Sequence, residues 1–374
     1  MKYRQYGKTG PMLSTLGFGC MRFPMKNETT VDRDLAIPML EKAYELGVNY
    51  FDTGKWYCAG DSEVTLGEAI KSMDRDKITV STKYAMEEPT AADMRQKFET
   101  SLKLLDQEYV DYYHLWGISW KEFTEKIDIP GGPLETFVKL KEEGLVRHLS
   151  FSFHSEPEEI SKLVDTGIFE SMLCQYNLLD RKNEEGIAYA ASKGLGVAIM
   201  GPVGGGRLGA PSEAMGKLLP GQQRTSSAEL ALRFVLTNPN VTLALSGMSE
   251  LSHVIENAAL ASKDAGLSTD ELEQVERSAA ENQKMMDLYC TGCKYCMPCP
   301  HDVNIPHIFE AMNYYKVWDL KDHAKSMYEK TKDTLDKKGL QADACVECGE
   351  CEEKCPQKIP IIEQLKESHA ALSV

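Results

Sequence analysis

From residue 16 to about 261, short apolar runs alternate with stretches whose apolar residues recur at helical spacing. The runs Leu16–Gly19, Asn49–Thr53, Ile78–Lys83, Val110–Leu115, Val146–Ser152, Glu170–Gln175, Gly196–Met200 and Val241–Ser246 predict strands. Helices are predicted after them over 31–46, 61–73, 90–106, 132–143, 156–165, 186–193, 226–237 and 250–261. Eight strand–helix pairs over roughly 250 residues are the count and length of a closed (β/α)8 TIM barrel. Helix ends agree with this reading. Gly47 and Gly144 stand where helices should stop, and Ser226, Ser227 and Glu229 make a helix start. Residues 2–14 read as a hairpin around Gly7-Lys8-Thr9-Gly10, placed to plug the N-terminal face of the barrel. A doubly wound sheet competes, but Gly19-Cys20-Met21-Arg22-Phe23-Pro24 is not the glycine-rich phosphate turn it needs.

Beyond the barrel the pattern changes. Residues 262–289 read as helix and linker, and 290–374 as a small α-helical module. In that module two cysteine motifs flank a mostly helical stretch near 306–340, and one more helix ends the chain. The expected domains are therefore 1–261, 262–289 and 290–374.

Composition narrows the setting. The 374 residues carry 42 Lys and Arg against 57 Asp and Glu, a net charge of −15, which speaks against nucleic acid or an anionic membrane as partner. The N-terminus lacks an apolar signal core, and no run of 18 apolar residues offers a membrane span. Eight of the 11 cysteines fall between Cys290 and Cys355, which points to a metal–thiolate module in a reduced, cytoplasmic setting.

The motifs are Cys290-x2-Cys293-x2-Cys296-x2-Cys299-Pro300 and Cys345-x2-Cys348-x2-Cys351-x3-Cys355-Pro356. Eight thiolates at this spacing match two 4Fe–4S clusters, the centres of a ferredoxin-like domain. In two-cluster ferredoxins the cysteine before proline ligates the other cluster. That rule groups Cys290, Cys293, Cys296 and Cys355, and separately Cys345, Cys348, Cys351 and Cys299. Two four-cysteine zinc sites are the alternative, although the tight triplets depart from zinc-knuckle spacing.

The segment NYFDTGKWYCAGDSEVTLGEAI, residues 49–70, resembles the aldo-keto reductase signature. The resemblance aligns Asp52 and Tyr57 with the family's aspartate and catalytic tyrosine, followed by Ser62, Glu63, Leu66 and Gly67. VSTKYA supplies the family lysine as Lys83, and SGMSELSHVIENAAL resembles the cofactor-phosphate loop and helix. The C-terminal cysteines resemble the branch with a 4Fe–4S dicluster domain. In DYYHLWGI, Trp116 holds the place of the family histidine, and His114 lies two residues earlier on the same strand face, about 7 Å deeper.

The resemblance implies NAD(P)H-dependent reduction of a carbonyl. Tyr57 would give the proton, Lys83 would lower its pKa, and Asp52 would keep Lys83 charged. His114 either takes part or is a core histidine, and Trp116 donates only through its indole N–H. For the nicotinamide, the resemblance implies Ser152, Gln175 and Met200; Phe153 replaces an expected asparagine. Gly204, Gly205, Gly206 and Arg207 would approach the pyrophosphate, and Arg22 would touch the pyrophosphate or a substrate anion. Gly247, Met248, Ser249, His253, Glu256 and Asn257 would surround the adenosine phosphate. His253 stands where NADP-specific members place arginine, which leaves NADP and NAD both open. No flavin motif is present, although a barrel can bind flavin without one.

Trp56, Trp116, Trp120, Tyr57 and Phe23 point to an aromatic or cyclic substrate, with loop 117–131 as a wall. Reduction of an enone, or cluster-assisted reduction, is a second reading. A non-catalytic redox-sensing or electron-transfer protein on a degenerate barrel is a third. The clusters would be structural or would exchange electrons with a ferredoxin- or flavodoxin-type partner. Substrate identity and oligomeric state are not written in these motifs.

Overall fold

The computed structural model describes the chain except residues 9, 88, 205–207, 209–225, 264–265, 288–295, 333–338, 356–358 and 374. Its contacts divide the chain into two compact units. One holds Met1–Gly206 and Glu229–Gly266; the other holds Arg207–Ala228 and Leu267–Val374.

In the first unit, β1 (Tyr3–Gln5) and β2 (Met12–Ser14) form an antiparallel ribbon. The next eight strands close into a parallel barrel, β10 pairing back with β3. They are β3 (Leu16–Gly19), β4 (Tyr50–Asp52), β5 (Thr79–Tyr84), β6 (Val110–Leu115), β7 (Val146–Phe153), β8 (Ser171–Gln175), β9 (Gly196–Met200) and β10 (Leu243–Ser246). The helices after them are α1 (Arg33–Glu45), α2 (Ser62–Ile70), α3 (Ala91–Leu105), α4 (Pro133–Glu142), α5 (Glu159–Asp165), α6 (Glu184–Ser192), α7 (Ser227–Thr237) and α8 (Leu251–Ala261). The expected strands all form, with ends shifted by no more than two residues. β5 and β6 are buried along their whole length, because helices cover one face and the barrel interior takes the other.

The hairpin closes the bottom of the barrel with an aromatic side chain. Tyr6 packs edge-on against Tyr112 at 5.0 Å and Tyr50 at 5.9 Å, over Leu173, Ala198, Leu243 and Leu245. Polar lumen positions therefore begin above this plug, toward the C-terminal strand ends where barrel sites sit.

The second unit contains α9 (Thr269–Asp287), α10 (Ile305–Lys316), α11 (Lys321–Glu329) and α12 (Ile361–Leu372) among its described residues. Ile308, Phe309, Tyr328, Leu365 and Leu372 form its core, and Cys299 and Cys351 belong to the same cluster. The Tyr328 hydroxyl is shared between His369 Nδ1 at 2.6 Å and the donating N–H of Ala342 at 3.1 Å. These bonds tie α11 and α12 to the chain just before the second cysteine motif.

Glu170 gives the barrel a pH-sensitive tie. It meets His148 Nδ1 at 2.9 Å and accepts from Lys141 Nζ at 2.5 Å. Burial works to raise its pKa, but His148 and Lys141 outweigh burial and hold it at about 2. A carboxylate depressed in the folded state stabilises above its ordinary pKa and loses that contribution as pH falls toward the folded value. Glu170→Gln is expected to cost about 1–2 kcal/mol at pH 7. Urea unfolding should show the difference shrinking from pH 4.5 downward and vanishing near pH 2.

Candidate active site

The register of β4 and β5 brings two opposite charges together inside the barrel. Asp52 pairs with Ser81, and Lys83 lies one lumen position further along β5. Lys83 Nζ donates to Asp52 Oδ2 at 2.5 Å and to the Thr53 carbonyl at 2.7 Å. Ser81 Oγ donates to Asp52 Oδ1 at 2.7 Å. Lys83 is 2% exposed and Asp52 3%, so water screens this pair very little. Burial alone would discharge Lys83, but Asp52 and then Tyr57 hold its pKa above the ordinary lysine value. Lys83 is therefore a fixed ammonium.

Tyr57 follows β4 and opens a tight turn. Cys58 and Ala59 both lie in the left-handed region, at φ 53° and 56°, and Gly60 follows at 93°. Such residues cost about 1–3 kcal/mol each and persist only where the surroundings over-determine them. Here they do. Ser62 Oγ donates to the Cys20 carbonyl at 2.8 Å and lies 2.8 Å from Thr53 Oγ1. Asp61 is clamped by Arg33 at 2.7 Å and accepts the Val31 N–H at 2.8 Å. The pinned turn leaves the Tyr57 ring centroid 4.7 Å from Lys83 Nζ. The expected acidification of Tyr57 does not result. Burial raises its pKa and outweighs the lowering by Lys83, so Tyr57 is a protonated phenol at neutral pH.

Trp116 stands edge-on to Tyr57 at 5.4 Å, and Trp56 lies 4.7 Å from Trp116. Trp56 is half exposed, so this aromatic pair faces solvent. Phe23 packs against Phe18, and Trp120 against Phe123. His114 is completely buried beneath Trp116. Neither ring nitrogen makes a well-formed hydrogen bond, and Nε2 is 3.8 Å from Asp52 Oδ1. Burial first, then Lys83, pushes its pKa well below the ordinary value, so the ring is neutral. It sits behind Asp52 and away from the mouth.

The positions expected to hold cofactor lie at the C-terminal strand ends. Ser152 Oγ accepts the Gly117 N–H at 2.8 Å and keeps its own proton to donate. Gln175 donates to Asp180 at 2.8 Å and pairs in register with Met200. Gly204 accommodates a left-handed turn at φ 59°; Gly205, Gly206 and Arg207 lie outside the described residues. A Cβ on Gly247 would stand 2.7 Å from Arg22 Cγ, so the missing side chain lets the arginine stem cross this loop. Met248 is buried and Ser249 exposed. Next comes α8, which carries His253, Glu256 and Asn257, and whose N-terminus has no side-chain cap. Asn257 donates to Ser246 Oγ at 3.2 Å and so ties α8 to the end of β10.

In the second unit Cys299 joins Cys345, Cys348 and Cys351 around one pocket of about 320 Å³. Val303, Ile305, Val346 and Leu365 complete much of its wall. Four soft thiols around an otherwise apolar space fit a polynuclear iron–sulfur centre. Among the described residues no three His, Cys, Asp or Glu groups converge on a single-ion point. Cys296 and Cys355 pack against the same core, while Cys290 and Cys293 lie outside the described residues.

Three contributors were not singled out from sequence. Ser81 and the Thr53 carbonyl complete the Lys83–Asp52 network. His154 stands at the barrel rim just after β7. Period two along β5 and β7 carried the signal for Ser81 and His154; a backbone carbonyl has none.

Comparison with known proteins follows the same division. The chain matches the Aldo/keto reductase family over residues 15–280 and the 4Fe-4S dicluster domain over residues 289–359. An uncharacterized oxidoreductase of Bacillus subtilis is 26% identical over 321 residues, covering 77% of this chain and 98% of that protein. L-galactose dehydrogenase of Arabidopsis thaliana is 28% identical over 307 residues, covering 74% of this chain and 93% of that protein. The holo form of an aldo-keto reductase from Bacillus halodurans superposes with a TM-score of 0.64 at 27% identity, covering 74% of this chain and 96% of that one.

Asp52→Asn leaves the Lys83 ammonium buried without its counter-charge. Urea unfolding at pH 7 should show a loss of about 3–5 kcal/mol, and a barrel of unchanged stability would contradict the pairing described.

Proposed function

The chain belongs to the aldo/keto reductase family, and we propose that its barrel reduces the carbonyl of an aromatic or cyclic small molecule with NADH or NADPH. One observation carries this reading: a sealed Lys83–Asp52 pair beside the ring of a protonated Tyr57. A bound nicotinamide would supply the hydride. As charge develops on the substrate oxygen, Tyr57 Oη gives up its proton, and Lys83 stabilises the phenolate left behind. Asp52, held by Ser81, keeps Lys83 charged and aimed. Trp56 and Trp116 offer a flat ring a face and an edge to pack on.

The rim residues suit a dinucleotide. Ser152 and Gln175 could each donate to the amide of a bound nicotinamide, and Met200, beside Gln175, would give the ring an apolar contact. Uncapped N–H groups at the start of α8, with Arg22 across Gly247, can meet phosphate. His253, Glu256 and Asn257 lie on α8 beside the adenosine end; His253 leaves both NAD and NADP compatible.

For the second unit, we assign Cys299, Cys345, Cys348 and Cys351 to one 4Fe–4S cluster and Cys290, Cys293, Cys296 and Cys355 to another. A hydride carries two electrons and a cubane accepts one. The clusters therefore serve structure, or a one-electron partner of ferredoxin or flavodoxin type.

Nicotinamide binding is read from quenching of tryptophan fluorescence, and turnover from NAD(P)H oxidation with aromatic aldehydes, cyclic ketones and an enone. Tyr57→Phe is expected to lower kcat by about 10²–10⁴-fold with cofactor affinity retained. A wild-type protein that binds neither NADH nor NADPH would leave only the electron-transfer reading. Anaerobically purified protein should be coloured and hold about eight iron per chain. Cys351→Ala should bring the iron content to about half. Colourless protein carrying zinc overturns the cluster assignment.

A further inference from the structure

Residues at the barrel mouth can be placed by following the alternation of β7. Ser150 and Ser171 hydrogen-bond to each other within the lumen, Oγ to Oγ at 2.7 Å. Phe151 points the other way, its ring 4.8 Å from Phe169 under the helices. Ser152 returns to the lumen, where it accepts the Gly117 N–H. Phe153 is again sealed away. The next lumen position is His154, one step above Ser152 at the C-terminal rim.

The neighbouring strand fixes what His154 stands beside. His114 pairs with Ser150, which brings Trp116 level with Ser152. The chain then turns at Gly117, φ 67°, and a Cβ there would lie 3.5 Å from His154 Cδ2. The imidazole thus lies against the turn at Gly117, and His154 is exposed to solvent. Two cations, Lys182 and Lys83, act on it through their charge. The protein packed around the ring, then these two charges, holds its pKa below the ordinary value, so it is neutral at pH 7. A neutral imidazole offers one donor and one acceptor.

The mouth therefore presents Trp116 and His154 from consecutive strands, above the sealed Lys83. Trp116 has a single weak donor and no acceptor. His114 is fully buried below. We propose that His154 is the substrate-orienting residue of this site, donating a hydrogen bond from its imidazole N–H to the substrate carbonyl oxygen while Tyr57 supplies the proton. No proton leaves His154 in this role; it fixes the carbonyl direction and spreads the developing negative charge over two donors. The inference rests on the reductase reading above.

The test uses the full-length holoprotein, benzaldehyde as the carbonyl probe, and whichever of NADH and NADPH the wild type oxidises. His154→Ala should lower kcat by about 10²-fold, with KM and cofactor dissociation constant near wild type. His154→Gln, which restores an N–H donor at similar reach, should recover most of that loss. His154→Ala with wild-type kcat overturns the inference. So does a pair of variants that lose activity only in proportion to lost cofactor affinity or lowered melting temperature, since that is a structural role. A wild type that binds cofactor but reduces neither benzaldehyde nor any ketone counts against the reductase reading itself, before any variant is compared.

Discussion

A charged lysine sealed inside a barrel is the constraint around which the first unit is arranged. Removing an ammonium from water costs several kcal/mol even after relaxation. Asp52 offsets this only because its other oxygen accepts from Ser81 and because the Thr53 carbonyl takes a second N–H of Lys83. Those partners come from β4 and β5, so the charge network and the strand register hold each other. A slip of one residue would turn Ser81 and Lys83 to the helix side. The same ammonium acts on its surroundings: it adds to the burial that keeps His114 neutral, opposes the burial that raises Tyr57, and adds to the burial that lowers His154 at the rim.

Much of this architecture was legible in the chain before any coordinates. Parallel strands buried on both faces read as short apolar runs, and Leu16–Gly19, Val110–Leu115 and Gly196–Met200 form where those runs stand. Asp52, Tyr57 and Lys83 could be named because one compact segment and one strand carry them. What sequence could not give was burial. His114 and Trp116 share a face by parity, yet only packing decides that the first is sealed and the second meets solvent. Tyr57 shows the same limit. A lysine nearby argues for a lower pKa, and the argument fails because burial of the phenol is the larger effect.

The cysteines make the point from the other side. Cys20 and Cys174 are buried in the barrel, where burial pushes both thiols up, and such thiols are poor ligands and poor nucleophiles. Cys299, Cys345, Cys348 and Cys351 share a pocket with one another, where a soft metal centre would draw off their protons. Spacing in the sequence distinguished the two groups. Cys299 stands more than forty residues from the other motif, and the fold brings it to Cys345, Cys348 and Cys351, the set that the cysteine-before-proline rule groups.

The barrel is layered by chemistry as much as by geometry. Tyr6, Tyr50 and Tyr112 fill its base; Asp52, Lys83 and His114 form a charged and polar middle; Trp56, Trp116 and the rim of β7 form the top. Because lumen positions recur every second residue, one strand can contribute to all three: Tyr112, His114 and Trp116 do so in succession along β6 and its end. The consequence for reactivity is a separation of tasks. Charge is held where water cannot screen it, and recognition happens where a flat molecule can enter. Tyr57 joins the two because its turn, strained at Cys58 and Ala59, hangs the ring from the end of β4 between the ammonium and the tryptophans. A more relaxed turn would free the phenol to face solvent, and the buried charge below would have no group through which to act on a substrate.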